Sequence, residues 1–509
     1  MNYFVNENIF SMNSGTEFSA IKRIQLFKKN GIQAKILTRN YNSNLIADMK
    51  KAGLASGDVL SMYDYFQETV DAPELDANLR YVEAIDKRRY HIEGVDANES
   101  LVRYHGETIA KVHVAPSTVG LVGTIDYFDV VGQLTARDIW DRRGFKSSTQ
   151  YFHPDGQAGA QIFYNLDGQP KIELTRMNIQ GTVRETMWKL LDYKGRDHAF
   201  RTENELFTFF MSELAQAEDS VFINDRTNLI EAVAQIDGAR GKWQYLHMSH
   251  AKNLRQAGAA RQVNELVKPV FTDYLSAFDG IITATIAQAD EIREVFPFKH
   301  VLALPDTFAE KINLKKVRKA RQLDTITYLG RISGDKKPVD TVDIFRMVHE
   351  RLPYTKLEFY GYATPESVKQ EVEKEIEKSG LKDVVTFKGY QDAESITEGL
   401  LKGAVLLNTS ENEAFGMHIL EAMNAGLPVV AYDVKYGVKE LVQEGQNGGL
   451  APYGGRLIAA QKLVDLLENP ELWSEMSKAA VETALRYNEK SAWASWKATK
   501  KQIENIYIG

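Results

Sequence analysis

Three rhythms of apolar and polar positions divide the chain. At its start, Tyr3-Phe-Val5 reads as a strand, Ser14-Gly-Thr-Glu17 as a turn, Phe18 to Asn30 as a helix and Ala34-Lys-Ile-Leu-Thr38 as the next strand, one βαβ opening. From about residue 78 to about 200 the period shortens to two. The runs ending at Glu93, beginning at Leu101 and at Thr124, and spanning Gln161 to Gln169 alternate polar and apolar positions between Asp-Gly and Pro-Asp-Gly turns, which predicts an inserted antiparallel meander. Strand and helix then alternate again: helix Thr202 to Glu213, strand Ser220 to Asp225, helix Asn228 to Asp237, strand Trp243 to His250, strand Ile281 to Thr285 with Gln288 after it, and strand Val301 to Pro305. The alternation continues to about 480, and an amphipathic helix from Asn488 to Tyr507 closes the chain, with Trp493 and Trp496 for packing. The expected organisation is a first α/β domain over 1–77 and 201–304, an insert over 78–200, a second α/β domain over 305–485, and a terminal helix over 486–509 that crosses back to the first domain.

Composition narrows the class. A chain of 509 residues is long enough for two or three domains with proper cores. Its 44% hydrophobic and 26% charged content is that of a globular protein, and a net charge of −7 gives no reason to expect nucleic-acid binding. With no cysteine there is no disulfide, thiolate metal site or sulfur nucleophile. The first residues lack a signal peptide's cationic start and apolar run, and no 18-residue apolar segment occurs, so the expectation is a cytoplasmic protein that makes at most peripheral membrane contact.

The candidate chemistry lies in the second α/β domain. Ala404-Val-Leu-Leu-Asn-Thr409 is apolar and short enough for an inner parallel strand, and Gly416 opens a helix with Ile419, Leu420 and Met423 on one face. The unpaired N–H groups and positive dipole end of that helix attract a diphosphate. Glu421, about two turns along, can accept from sugar hydroxyls, while Glu413 lies on the loop ahead. Two glutamates eight apart also occur on ordinary solvated faces, so a second signal matters. In Tyr328-Leu-Gly-Arg-Ile-Ser-Gly-Asp-Lys-Lys-Pro338 a strand ends at Gly330, with Arg331 and Lys336 placed to converge at the carboxyl end of a parallel sheet. A fixed guanidinium fork beside a mobile ammonium suits a leaving diphosphate. In the first domain, Gly15 lets the backbone approach a ligand, or caps a helix in a plain turn. The strand from Trp243 ends in His247 and His250. Ligands of open α/β sheets sit beyond the strands' carboxyl ends, so His250 is favoured to face the phosphate site and His247 to be a buried structural residue.

Together these segments resemble the retaining glycosyltransferases of family four. Glu413 and Glu421 match the family's Glu-x7-Glu signature, and Gly330, Arg331 and Lys336 its Gly-Arg-x4-Lys signature. Phe359-Tyr-Gly-Tyr362, Val385-Thr-Phe-Lys-Gly-Tyr390 and Gly426-Leu-Pro-Val-Val430 fall in the expected order. The resemblance implies α/β architecture of the GT-B type, two facing Rossmann-like domains, here with an antiparallel β-meander in the first. It implies a UDP-sugar donor, UDP-glucose or UDP-N-acetylglucosamine, and no other cofactor. Glu413 would hold the hexose with the Met417 and His418 N–H groups in the Phe415-Gly416 cradle, Glu421 the ribose, and Gly389 and Tyr390 would lie near the base. His250 would be the active-site histidine, with Arg331 and Lys336 on the diphosphate. Gly15, flanked by Ser14, Thr16 and Glu17, matches the family's glycine-rich loop, although Ser14 stands where many members have a second glycine. No Asp-x-Asp occurs, so no metal site is expected; Arg331, Lys336 and the helix dipole would stabilise departing UDP in a front-face displacement.

The insert resembles the β-rich add-on of bacterial enzymes that glycosylate serine-rich surface adhesins or wall teichoic acid, and it implies a homo-oligomer or a hetero-complex with a homologous subunit. Asp138-Ile-Trp-Asp-Arg-Arg-Gly-Phe-Lys146 is either a basic-aromatic acceptor contact or a structural hairpin. The expected acceptor is Ser/Thr, or a sugar already on it, of a serine-rich glycoprotein; the alternatives are the glycerol- or ribitol-phosphate repeat of wall teichoic acid and, from another class, a non-catalytic acceptor-binding subunit. A phosphorylase or an epimerase of the same architecture is a further option.

Overall fold

The computed structural model describes residues 1–74, 85–254, 258, 261–312 and 321–509. It divides into two compact units: residues 1–13, 31–242 and 508–509 form the first, and 14–30 and 243–507 the second.

The first unit begins with β1 (Asn2–Asn6), every residue of which is buried. β1 pairs in parallel with β2 (Ala34–Thr38), which pairs in turn with β3 (Val59–Ser61). Burial on both faces explains why these strands read as continuous apolar runs. The meander expected over 78–200 is a ten-stranded antiparallel sheet in chain order, from β4 (His91–Gly94) to β13 (Arg196–Phe200). One face buries Val102, Ala110, Val112, Val122 and Ile125 together with Ile85. The unit closes with the helix Glu203–Ala217, capped by the Thr202 hydroxyl, and β14 (Val221–Asn224), parallel to β1. The helix expected from Asn228 to Asp237 is shorter, Ile230–Ala234, entered through a 3-10 turn at Thr227–Leu229.

The segment Asp138 to Lys146 settles as the structural hairpin between the strands Leu134–Trp140 and Lys146–Phe152. Arg143, 6% exposed, is its anchor. Its guanidinium donates to Asp141 (2.7 and 2.9 Å), Asp64 (2.6 Å) and the Thr69 carbonyl (2.7 Å), tying the sheet to the segment after β3. Gln67 repeats the device by donating to the Ser147 and Tyr164 carbonyls at 3.0 and 2.6 Å.

β15 (Gly241–Leu246), of which Trp243–Leu246 belong to the second unit, pairs in parallel with β16 (Gly280–Thr283), and β16 with β17 (His300–Ala303). β15 stops at Leu246, so His247 and His250 stand beyond the strand rather than at its end. The larger sheet is wholly parallel. It comprises β18 (Thr325–Leu329), β19 (Lys356–Tyr360), β20 (Val385–Gly389), β21 (Val405–Asn408), β22 (Val429–Tyr432) and β23 (Gly448–Ala451), in the order β20-β19-β18-β21-β22-β23. The direction of winding reverses between β18 and β21, which opens a crevice at their carboxyl ends.

Two boundaries differ from expectation. The first helix spans Gly15–Lys29 rather than starting at Phe18, because the Glu17 carboxylate accepts from the Ser14 amide (2.7 Å) and hydroxyl (2.6 Å) and starts it a turn earlier. The units divide between Lys242 and Trp243 rather than near 305. Within the second unit, Phe27 of the first helix meets Trp493, Trp496 and Tyr507 at ring separations of 5.6, 5.2 and 5.3 Å, and the Trp243 indole donates to the Asn505 carbonyl at 2.9 Å. Among the described residues, no helix is long and apolar enough to cross a membrane.

Replacing Arg143 with Ala leaves Asp64 and Asp141 without their cation. We expect the variant to lose about 3–5 kcal/mol of stability in urea unfolding, the range for a buried ion pair stripped of one partner.

Candidate active site

Every component of the site lies in the second unit. The helix Met417–Asn424 follows β21 across a short loop, and Gly416, at φ +90°, makes the turn into it; a Cβ there would stand 2.9 Å from Ile419 Cδ1. On the loop, Glu413 is 7% exposed. Its carboxylate accepts from Lys336 Nζ at 2.5 Å and Ser410 Oγ at 2.7 Å, with His418 Nε2 3.8 Å away. Burial pushes the Glu413 carboxyl up, but the Lys336 ammonium, His418 and the Ser410 hydroxyl outweigh it and hold the group below the usual carboxylate range. His418 is pushed down to about 4 by burial, against the pull of Glu413, so it is neutral at pH 7.

The backbone of Glu413 is clamped too. Its N–H donates to the Lys435 carbonyl (3.0 Å), and its carbonyl accepts from Tyr436 N–H (2.6 Å) and Gly437 N–H (3.0 Å). Position 437 must be glycine, since a Cβ there would lie 1.7 Å from the Phe415 carbonyl oxygen. Lys336 is fixed from behind: the Thr409 hydroxyl, just past β21, donates to its carbonyl at 2.8 Å. Arg331 is more open. Its side chain is 47% exposed and approaches Asp335 at 3.9 Å, so the structure pairs Lys336 with Glu413 and leaves Arg331 extended towards solvent.

Three glycines crowd the ends of β18, β19 and β20. Gly330 N–H donates to the Tyr360 carbonyl and Gly361 N–H to the Gly389 carbonyl, both at 2.9 Å, and a Cβ on Gly361 would sit 1.9 Å from the Gly330 oxygen. Just past Gly389, Tyr390 lies against Tyr362 with ring centres 5.9 Å apart.

The first helix joins the site at its N-terminus, where a Cβ on Gly15 would stand 3.7 Å from Met417 Sδ. Two helix N-termini therefore converge, and half-buried Thr16 lies next to this contact. Ser14 and Glu17 are engaged with each other in the cap, and Glu17 is 1% exposed, a structural role. Two turns along that helix, Lys22 pairs with Glu310 and lies over the Phe308 ring. Glu421 is reachable by solvent, yet the protein around it limits hydration and raises its carboxyl to about 7, against the opposing pull of the Lys22 ammonium.

The two histidines sit in different surroundings, and it is His250 rather than His247 that is fully buried. His247 Nδ1 is 3.0 Å from Asp306 Oδ1, and the ring stacks on Tyr245 at 4.5 Å. His250 is fully buried; its Nδ1 lies 3.5 Å from Tyr436 Oη, and its Nε2 has no hydrogen-bond partner among the described residues. Burial, opposed by Glu291 and assisted by Lys435, pushes it down to about 4.

Sequence reasoning missed Ser410, Lys22, Glu291, Lys435, Tyr436 and Gly437 as parts of this site. Only Gly437 carried a signal, a glycine shortly after an apolar strand.

Residues 310–483 match the family model described as Glycosyl transferases group 1. The chain is 23% identical over 495 residues to a poly(ribitol-phosphate) alpha-N-acetylglucosaminyltransferase of Staphylococcus aureus, covering 95% of this chain and 96% of that one. It is 24% identical over 530 residues to the GtfA subunit of a UDP-N-acetylglucosamine–peptide N-acetylglucosaminyltransferase of Streptococcus gordonii, covering 99% of each. The structure superposes on the pneumococcal O-GlcNAc transferase GtfA, solved in complex with UDP and GlcNAc, with a TM-score of 0.84 at 21% identity over 99% of both chains.

The raised Glu421 carboxyl gives a signed prediction. Between its ordinary value and about 7 the folded chain binds more protons at this group than the unfolded chain, so its contribution to stability falls as pH rises through that window. Glu421→Gln should therefore raise Tm above wild type at pH 8, on the order of 2 °C, with the gap closing towards pH 4.5 in a calorimetric series.

Proposed function

We infer that this GT-B glycosyltransferase of group 1 moves N-acetylglucosamine or glucose, with retention, from a UDP-sugar to Ser/Thr, or to a sugar already on it, of a serine-rich bacterial surface glycoprotein. The observation that carries this reading is the buried Glu413 carboxylate, held by Lys336 and Ser410 beside two converging helix N-termini. Helix ends supply N–H donors and positive potential to a diphosphate. A carboxylate beside them is free to take sugar hydroxyls on its remaining lone pairs.

In this reading the donor's diphosphate lies against the Gly15 and Met417 N–H groups, with Lys336 and Arg331 on its oxygens. Glu413 orients the hexose, Glu421 the ribose, and the surface at Gly389 and Tyr390 takes the base. The bond from the anomeric carbon to the β-phosphate oxygen breaks as the acceptor oxygen forms its bond on the same face. The acceptor's proton passes to the departing phosphate oxygen, so no protein nucleophile is needed. Charge developing on UDP meets preorganised donors, the arrangement that stabilises a transition state most. Nucleotide-sugars are cytoplasmic, which places the reaction there.

The Streptococcus relative is named as a peptide N-acetylglucosaminyltransferase subunit, which supports a protein acceptor and a homologous partner subunit. The Staphylococcus relative is named for poly(ribitol-phosphate), which supports wall teichoic acid as the second reading. UDP release decides between them: with UDP-N-acetylglucosamine and UDP-glucose, we expect turnover on a purified serine-rich repeat and none on poly(ribitol phosphate). The reverse pattern would establish the second reading, and release with neither acceptor would sink both.

Glu413→Gln should lower kcat by about 100-fold or more, because losing the carboxylate lets the hexose drift from the reactive pose. Acceptor binding, measured by calorimetry on the same variant, should stay within about 2-fold, since no acceptor contact is assigned to Glu413.

A further inference from the structure

Behind Glu413 and His250 lies a chain of contacts that the reaction does not touch. Glu291, on the helix Ile286–Val295, receives two donors: Tyr436 Oη donates to its Oε2 at 2.9 Å, and Lys435 Nζ pairs with its Oε1. Tyr436 is 2% exposed, and its ring lies 6.1 Å from that of His250, nearly parallel at 22°. The same two residues supply the backbone bonds that clamp Glu413, from the Lys435 carbonyl and the Tyr436 N–H. One carboxylate thus stands behind both groups assigned to the donor.

The direction of the hydrogen bonds fixes the imidazole. Tyr436 has one hydroxyl proton, and the Glu291 carboxylate, which can only accept, takes it. The neighbouring Ser249 hydroxyl donates to the Ala251 carbonyl at 3.1 Å. Towards His250, Tyr436 Oη can then act only as an acceptor, so Nδ1 carries the proton. Nε2, fully buried and without a partner among the described residues, keeps its lone pair for a donor from outside.

We propose that Glu291 is a positioning residue which, through Tyr436 and Lys435, sets the Nδ1–H tautomer of His250 and holds the backbone of Glu413, so that Nε2 accepts a hydroxyl proton of the bound sugar. This rests on the donor-site reading above. It adds a specificity element: the site rewards a sugar hydroxyl that donates towards His250, because a buried lone pair left without a donor forfeits the hydrogen bond it had in water. A deoxy or O-methyl donor at that hydroxyl should be rejected.

Imidazole nitrogen resonances of the full chain labelled with [15N]histidine test the assignment, with His250 identified by the signals lost in His250→Gln. In the wild type Nδ1 should be protonated and Nε2 not. Tyr436→Phe, which preserves ring and volume, should shift the population towards Nε2–H, and so should Glu291→Ala. Glu291→Gln offers one acceptor oxygen to two donors; with the Lys435 ammonium on it, the amide NH2 faces Tyr436 and the population should again shift towards Nε2–H. In parallel, kcat for UDP-sugar turnover should fall about 10–100-fold in Tyr436→Phe, Glu291→Ala and Glu291→Gln, with affinity for UDP alone held within about 2-fold. An Nε2–H tautomer in the wild type, wild-type kcat in Tyr436→Phe, or loss of UDP affinity in step with kcat would overturn the proposal. A wild type that releases no UDP with any acceptor would defeat the functional reading instead, and the tautomer measurement would still decide the brace.

Discussion

Burying the Glu413 carboxylate is the constraint around which this site is arranged. An isolated carboxylate taken from water costs several kcal/mol even after relaxation, so it persists in the interior only with a counter-charge and hydrogen bonds on its oxygens. Each requirement is met from a different strand end. Lys336 comes from the turn after β18, Ser410 from just past β21, and the backbone clamp at Lys435, Tyr436 and Gly437 from beyond β22. β18 and β21 are the neighbours at which the winding of the sheet reverses. The topology therefore delivers the three supports to one point, and moving any strand by one residue would leave a buried charge without its partner.

The helix that follows the Glu413 loop is held at its other end by an unusual staple. Arg321 is largely buried and donates to the carbonyls of Leu400 (3.2 Å) and Leu401 (3.1 Å), and to those of Ala425 (2.8 Å) and Gly426 (2.9 Å). These close the C-terminal ends of the helices Ala393–Lys402 and Met417–Asn424. One guanidinium thus meets two negative dipole ends and answers carbonyls that would otherwise be orphaned. Burial pushes Arg321 down to about 10, still far above neutrality, so the staple stays charged. Fixing the C-terminal end also fixes the N-terminal end of Met417–Asn424, which is aimed at the donor site proposed above.

The folding pattern was legible wherever one periodicity ruled a whole segment. The period-two runs of the insert became ten antiparallel strands, and the short apolar runs became inner parallel strands, because burial on one face or on both leaves opposite marks in the sequence. Glu413, Lys336, Gly416 and Met417 were legible because each sits at a fixed offset from a strand end. Glu291 and Tyr436 were not. They are separated from Glu413 by 122 and 23 positions in the chain; Tyr436 meets it through a backbone N–H and Glu291 reaches it only through Tyr436 and Lys435, links that no local pattern encodes. The early start of the first helix escaped for a different reason: Ser14 and Glu17 read as the ligand loop of a glycosyltransferase, whereas their bonds to each other form a cap.

The charge state of the site follows from these contacts. Lys336 is committed to Glu413, and His418 and His250 are both neutral at pH 7, pushed down to about 4 by burial. Glu421 is pushed up to about 7 by the protein around it, against the pull of Lys22. Arg331 is the cation left least engaged, with its nearest carboxylate 3.9 Å away. In the donor site proposed above, an arriving diphosphate meets helix N-termini, one guanidinium and a lysine already held by Glu413 rather than a cluster of free lysines. Fixed dipoles need no reorganisation as charge shifts onto the leaving group, whereas a mobile ammonium already paired with Glu413 can move only as far as that pairing allows. The same logic assigns Glu421 a pH-dependent part. In the donor site proposed above, ionised Glu421 accepts from ribose hydroxyls and protonation turns one of its oxygens into a donor, so donor affinity should weaken as pH falls below about 7 in the wild type and stay level in Glu421→Gln.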